Sequence, residues 1–311
     1  MRKVLARLLA LLLTLLAVSF SVFLLSSLSP GDSARYVLGE DASEEALEAY
    51  RGASGAHLSL FPAYARFLLG FIKGEWGVSS GGEEIRSLVT GRLGVTLSLS
   101  LLSLALALLI SLPLSFLAVR KGSAGSAFVS GASMAVMSLP SFLIAILLAL
   151  LFSVGLGVFP VAGYSPPSSG IPRFLRSLFL PSLTLSLMHS SLYTRVFTEA
   201  LRENSAKPFS RAMVAFGLDK RLVPLKSAFK PSLPVLLSLV AETFATSLGG
   251  AAVVETVFAL PGLGSLLVKA ALSRDRALAG SLVLLSAFAV SVVSLALEAS
   301  LFLLEKRRRR A

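Results

Sequence analysis

Three acidic residues stand inside or directly beside long apolar runs of the sequence: Glu242, Glu255 and Glu298. A charge at membrane depth costs about 2.5–3.5 kcal/mol or more, so such residues are functional candidates. Glu242 lies near the middle of its run and is the best candidate for facing a watery pathway, with pairing to a partner subunit as the alternative. For Glu255 we weigh a structural hydrogen-bonding role beside substrate contact. Glu298 stands near the end of its run, which suits the membrane interface.

The residue types needed for catalysis or metal binding are not grouped in this sequence. His57 and His189 have no third ligand near them in the sequence, and the chain has no cysteine, which argues against a metal site. No GxxxxGK[ST] loop for ATP and no G-x-S-x-G nucleophile motif occurs. We therefore predict a chain that is not an enzyme and holds no cofactor.

The composition points to a membrane protein. Of 311 residues, 55% are apolar and 15% are charged, whereas soluble domains are roughly 45–50% apolar and about 25% charged. A helix that crosses a bilayer needs about 20 apolar residues. Six runs meet or approach that length: 8–28, 93–119, 128–158, 177–194, 231–254 and 277–304. The sequence predicts an all-α membrane protein with six transmembrane helices.

The first run also fits a secretory signal, because basic residues precede it. It is long for the apolar part of a signal, and no A-x-A cleavage site follows. We favour an uncleaved first helix, residues 1–28.

Basic residues indicate the orientation. With the N-terminus in the cytoplasm, the inner segments carry 18 Lys and Arg residues and the outer segments carry 11. Positive charge concentrates on the cytoplasmic side of membrane proteins, so both termini are predicted to be cytoplasmic. The formal net charge of +12 is then an orientation signal and not a sign of nucleic-acid binding.

Residues 29–92 form a predicted extracytoplasmic segment. Asp41 or Ser43 is placed to cap a short helix, and apolar residues at helical spacing over 64–72 predict an amphipathic helix on the membrane surface. Trp76 follows this helix and suits an interfacial anchor. The remaining residues, 93–311, are predicted to form a five-helix core.

A second long connection, 195–230, lies on the predicted cytoplasmic side. Pro208 is placed to open a helix and Gly217 to end it. Its apolar face consists of Phe209, Ala212, Met213 and Phe216. Periodicity alone leaves two interpretations open: a helix lying on lipid headgroups, or a docking element for a soluble partner.

Short motifs in a fixed order extend over nearly the whole chain. They are SPGD from Ser29, GEWG from Gly74, SLPSF from Ser138, LGVFPVAGY from Leu156 and GGAAVVETVFALPGLG from Gly249. In this order and spacing the chain resembles the integral-membrane permeases of bacterial ABC importers, in the dipeptide, oligopeptide and nickel branch. It is most similar to the first of the two permeases of such a system.

These permeases share a cytoplasmic motif, EAA followed by three residues and Gly, which the stretch RAMVAFGL over 211–218 resembles. Ala212 and Gly217 match the motif, whereas Met213 and Phe216 depart from it. Pro208 also departs from the family near the start of the helix. The residues that the resemblance implies for ATPase docking are Glu203, Arg211, Ala212, Met213, Gly217 and Leu218.

The resemblance implies a type I importer permease in the cytoplasmic (inner) membrane, with a coupling helix near 207–222. The implied partners are a second homologous permease, two cytoplasmic ATPase subunits that bind ATP, and an extracytoplasmic solute-binding protein. Membrane lipid is a further expected partner, because five consecutive basic residues, 306–310, suit anionic headgroups. The predicted pathway residues, Glu242 and Glu255, rest on their charge at membrane depth, and the family is usually uncharged at the position of Glu242. The resemblance implies a peptide as the substrate, with nickel or another small solute also open. The alternative is a self-contained secondary transporter or channel with Glu242 as its coupling carboxylate, although no inverted repeat is visible.

Overall fold

A computed structural model describes residues 13, 16–21, 24, 39, 42–48, 60–79, 81–120, 122–273 and 275–308. Most of the predicted first span, 8–28, lies outside these residues, as does His57. The helices are α1 Leu60–Lys73, α2 Ile85–Arg120, α3 Gly122–Met137, α4 Ser141–Leu148, α5 Ile171–Ser205, α6 Pro208–Ala215, α7 Phe229–Gly250, α8 Ala252–Val257, α9 Leu263–Leu272 and α10 Arg276–Arg308. Within the described ranges there is no strand, only an isolated antiparallel bridge between Val78 and Glu84.

Three helical stretches of the described chain are long and apolar enough to cross a membrane: Ile85–Arg120, Lys220–Ser247 and Leu278–Ala296. They coincide with the predicted second, fifth and sixth spans. The predicted fourth span, 177–194, lies within α5, which is longer at both ends than the sequence suggested. Its many buried Ser and Thr residues make α5 less apolar than the other three.

The prediction of one continuous third span over 128–158 is wrong. Gly125–Met137 and Ser141–Gly155 form two helical segments that meet at an angle of 96°. Pro140 sits at the break in an extended conformation, with φ −60° and ψ 143°. Proline has no N–H for the helix ladder and disfavours helical geometry at the residue before it, so the helix stops here. Together the two segments are apolar enough for a broken span or a re-entrant loop.

Two other boundaries differ from the prediction. The predicted fifth span, 231–254, is interrupted because α7 ends at Gly250 and a separate short helix, α8, follows. Consecutive glycines are poor helix formers, which accounts for a break at this point. The predicted outer segment, 29–92, ends within α2, which begins at Ile85.

Small hydroxyl side chains line the interface between α2 and α5, the two longest helices of the core. Their buried serines recur at helical spacing, and Ser115 Oγ donates across the interface to the Thr194 carbonyl at 3.3 Å. Small residues allow helix backbones to approach closely in a membrane, where burial of apolar surface does not drive association. Farther along α5, Phe197 and Leu201 are fully buried against Ala228 and Leu236.

Three local features that the sequence predicts over 29–92 are present in the described part of that range. The Ala46 N–H donates to Ser43 Oγ at 3.3 Å and so caps a short helix over 44–48. Trp76 stacks on Phe71 with ring centroids 4.9 Å apart, and its Nε1 donates to the Phe71 carbonyl at 3.0 Å. Tyr64 of α1 hydrogen bonds to Ser19 at 2.5 Å, which ties the amphipathic helix to the first apolar run.

Candidate functional site

The short helix α6 lies between α5 and α7 and has sharply defined ends. Lys207 is extended and Pro208 occupies the first turn, as the sequence predicts. At the other end the Gly217 N–H donates to the Val214 carbonyl and the Leu218 N–H to the Met213 carbonyl, both at 3.0 Å. This pair of bonds is a Schellman motif, in which a left-handed residue satisfies the last free carbonyls of a helix.

Gly217 is the left-handed residue of that motif, with φ +96°. No atom lies within 4 Å of the position that a Cβ would occupy. The demand for glycine at this point is therefore conformational, since an L-residue with a side chain is disfavoured at positive φ.

Most of α6 faces away from the rest of the described chain. Phe216 is 92% exposed and Phe209 is 63% exposed, which leaves a large apolar surface without a partner. Among the residues that the resemblance implies for docking, Arg211, Ala212 and Gly217 are exposed, and Met213 and Leu218 are half-buried.

Ser210 is the one buried residue of α6. Its hydroxyl donates to the Asn204 carbonyl at the end of α5 at 2.8 Å, and it also hydrogen bonds to Ser227 Oγ. Ser227 belongs to the π-helical turn Pro224–Ala228, which leads directly into α7. One hydroxyl therefore connects α6 both to α5 and to the helical turn that leads into α7.

Asn204 extends this connection through its side chain. Its Nδ2 donates to Ser232 Oγ of α7 at 2.9 Å and to the Ala200 carbonyl at 2.9 Å, and its Oδ1 accepts from Lys207 Nζ at 2.8 Å. Both Asn204 and Ser232 are buried. We name Asn204, Ser210, Ser227 and Ser232 the inner hub.

Sequence reasoning missed the inner hub, because serine is common along the whole chain and an asparagine near a helix end has many uses. Glu203, which it did select, ends up exposed on the last turns of α5. There it forms an ion pair with Lys207 at 3.4 Å, and exposed pairs of this kind contribute little to stability.

Glu255 is the centre of a second buried polar group, at the opposite end of α7. Thr96 Oγ1 donates to its Oε1 at 2.7 Å, and the Ser265 N–H donates to its Oε2 at 2.8 Å. Thr96 in turn accepts from the Leu263 N–H at 2.8 Å. The carboxylate thus satisfies the first turn of α9, as a capping side chain does. We name Glu255, Thr96 and Ser265 the outer hub.

Two glycines leave room for this arrangement. A Cβ on Gly262 would lie 2.2 Å from Glu255 Cδ, and a Cβ on Gly264 would lie 2.6 Å from the Ala252 backbone. The PGLG stretch after α8 is therefore explained by close packing against the carboxylate and α8. Burial raises the pKa of Glu255, and hydrogen bonds donated by Ser265 and Thr96 oppose that rise.

The two predicted pathway residues have different surroundings. Glu255 is fully buried, which supports the structural role weighed for it. Glu242 is exposed on α7, within a stretch that is otherwise apolar enough to cross the membrane. In the part of the chain that the structure describes, no three His, Asp or Glu residues are grouped so that they could hold a metal ion.

We expect Glu255→Gln to destabilise the protein by about 1–3 kcal/mol, because the amide would turn a donor toward the Ser265 N–H or the Thr96 hydroxyl. The measurement is the thermal unfolding midpoint of the purified chain in detergent. Thr256→Val is the matched control, since that exposed hydroxyl donates only to Ala252 within its own helix. Equal midpoints for the two variants would contradict the role of the outer hub.

Ser210→Ala should loosen α6, because it removes both of the buried hydrogen bonds made by that helix. Hydrogen–deuterium exchange over 207–217 is expected to rise about tenfold, while exchange over 85–120 stays unchanged. Ser205→Ala serves as control, since the Ser205 hydroxyl bonds only to Leu201 within α5. Equal exchange over 207–217 in both variants would show that Ser210 does not hold α6.

Nearly the whole chain matches known protein families. Residues 107–310 match the family model for the inner membrane component of binding-protein-dependent transport systems, and residues 1–88 match the model for the N-terminal part of such components. A putative peptide transport system permease protein of Brucella abortus is 33% identical over 263 residues, 84% of each chain.

Two further relatives cover as much or more of the chain. A probable peptide ABC transporter permease protein of Sinorhizobium fredii is 27% identical over 308 residues, 98% of each chain. The glutathione transport system permease protein of Salmonella paratyphi A is 30% identical over 275 residues, 88% of this chain and 87% of that one. With the family model covering well over half of its length, the chain belongs to the inner membrane components of binding-protein-dependent transport systems, and it is a multi-pass permease subunit of an ABC importer.

Proposed function

We propose that the chain forms one half of the membrane pathway of an ATP-driven importer of short peptides. The observation that carries this proposal is α6, a short helix with exposed Phe209 and Phe216 that is tied to two spans through buried Ser210. A soluble subunit can bind the exposed apolar face of α6. Because hydrogen bonds of Ser210 join α6 to its neighbouring helices, a displacement of α6 is transmitted to them. The resemblance of 211–218 to the docking motif of ABC permeases supports the same role.

The proposed assembly contains this chain, a second homologous permease, two cytoplasmic ATPase subunits and an extracytoplasmic solute-binding protein. This chain crosses the membrane six times with both termini in the cytoplasm, as the distribution of its basic residues supports. ATP binds to the ATPase subunits, and this chain needs no cofactor of its own. The docking surface consists of Glu203, Arg211, Ala212, Met213, Gly217 and Leu218, together with exposed Phe216.

Transport in this proposal depends on the rigid connection of α6 to α5 and α7 through the inner hub. When the ATPase subunits close on ATP, they displace α6, and the inner hub passes the displacement to the end of α5 and the start of α7. Both spans tilt as bodies, and the pathway between the two permeases opens alternately to each side. A loose α6 would absorb the same displacement without moving the spans.

A short peptide is the proposed substrate. The relatives named for peptide transport and for glutathione, itself a tripeptide, support this choice over nickel or another small solute. Glu242, exposed on an otherwise apolar helix, is proposed to face the pathway, where its carboxylate would attract the ammonium group of a peptide. The family assignment gives no support to the alternative of a self-contained secondary transporter or channel.

Gly217→Val is expected to lower peptide uptake by at least about tenfold without preventing insertion into the membrane. A β-branched residue at φ +96° is strained by about 1–2 kcal/mol or more, which unwinds the end of α6. Uptake of a labelled peptide by cells or proteoliposomes that contain the complete transporter measures the effect, with the amount of membrane-inserted chain determined in parallel.

Gly217→Asn is the matched control, because asparagine tolerates positive φ better than other residues with a side chain. It should retain most of the uptake. Normal uptake by Gly217→Val would contradict the docking role, and recovery of the intact membrane complex without an ATPase subunit would contradict the proposed function itself.

A further inference from the structure

A cleft of about 440 Å³ opens where α2, α3, α5 and α6 meet. Arg120 and Gly122 border it at the junction of α2 and α3, and Ser205 borders it at the end of α5. Residues of α6 and of the connection to α7 complete the wall. No step of the proposed transport cycle uses this cleft.

The charged residues that line the cleft are all basic: Arg120, Arg211, Lys220 and Arg221. Each is exposed, and among the described residues none of the four lies in an ion pair, whereas Arg202 and Lys207 nearby pair with Glu199 and Glu203. The rest of the wall is mainly apolar and includes Val119 and Val223. Four positive charges beside an apolar wall suit a ligand that combines an anionic group with a hydrocarbon chain.

The position of the cleft matches the boundary between membrane and water. Arg120 is the last residue of α2, which is apolar enough to cross the membrane. One turn or two before it, Leu117 and Leu114 are 47% and 37% exposed, and Leu225 beyond the cleft is 56% exposed. These side chains offer apolar surface to acyl chains while the basic residues stand at headgroup level.

The face of α6 that lines the cleft is not its apolar docking face. Successive residues of a helix are about 100° apart, so Arg211 and Val214 lie roughly opposite to Phe209 and Phe216, and Ser210 lies between the two faces. An ATPase subunit seated on the apolar face would leave the cleft open apart from Arg211, the one residue shared by the cleft and the proposed docking surface. This separation favours a lipid over an acidic segment of the ATPase as the occupant.

We propose that the cleft binds the phosphate of an anionic phospholipid, with the acyl chains against α2. The bound lipid adds a second support to α6, from the side opposite to the ATPase. Transport would therefore depend on the anionic lipid content of the membrane.

The test uses the full-length chain, purified in detergent and delipidated, with native mass spectrometry as the readout of lipid binding. Phosphatidylglycerol should bind at least about tenfold more tightly than phosphatidylcholine. R120Q/R221Q should lose at least about tenfold in phosphatidylglycerol affinity. K226Q/K230Q removes the same charge from exposed residues outside the cleft and should stay within about twofold of the unaltered chain.

Further arms distinguish the sources of the phosphate. Displacement of phosphatidylglycerol by millimolar glycerol 3-phosphate would assign the cleft to a free phosphate ester and overturn the lipid proposal. Equal losses in the two double variants would overturn it as well. The lipid proposal would also be overturned if assembled transporters carrying R120Q/R221Q lost the ATPase subunit while phosphatidylglycerol binding stayed intact.

Absence of a preference for phosphatidylglycerol in the unaltered chain contradicts the proposal whether or not the variants fold. Because phospholipid binding is measured on this chain alone, a failure of that measurement leaves the transport role untouched. Failure of the Gly217 uptake experiment likewise leaves the lipid result standing.

Discussion

The hydroxyl of Ser210 is the contact on which the proposed coupling depends. α6 buries no other residue, yet this hydroxyl reaches the end of α5 and the turn that begins the next span. A helix of eight residues has little stability of its own in water. The Schellman motif at Gly217 and the bonds of Ser210 therefore determine its position, while its apolar face stays open to a partner.

In the outer hub, too, buried hydrogen bonds fix the position of a short helix, here α9. Glu255, Thr96 and the start of α9 satisfy one another in a buried setting, where an unpaired polar group would be costly. Between the two hubs, α2 and α5 pack through small hydroxyl residues that permit close approach. The polar side chains of both hubs are thus hydrogen bonded, as the proposed rigid-body movement of the spans requires.

Local rules predicted the features that depend on neighbouring residues. Pro208, Gly217 and Ser43 act at helix ends as their types indicate, and apolar length located α2, α7 and α10. The 96° break at Pro140 was missed for two reasons. Membrane helices often tolerate proline, and a hydropathy profile does not register a change in the direction of the helix axis. The partners of Glu255 and Ser210 were also out of reach, since the Thr96–Glu255 bond joins residues 159 positions apart and no local pattern encodes such a pairing.

The most direct test of ATPase docking is a cross-link from α6 to the ATPase, which is practical because the chain has no cysteine. A cysteine replacing Phe216, which is 92% exposed, carries a photoreactive maleimide in the assembled complex. Docking of α6 on the ATPase predicts cross-linking to the ATPase subunit from this position and none from a cysteine replacing Leu272 on α9, which is 81% exposed. No ATPase product from Phe216→Cys, or equal product from Leu272→Cys, would contradict it.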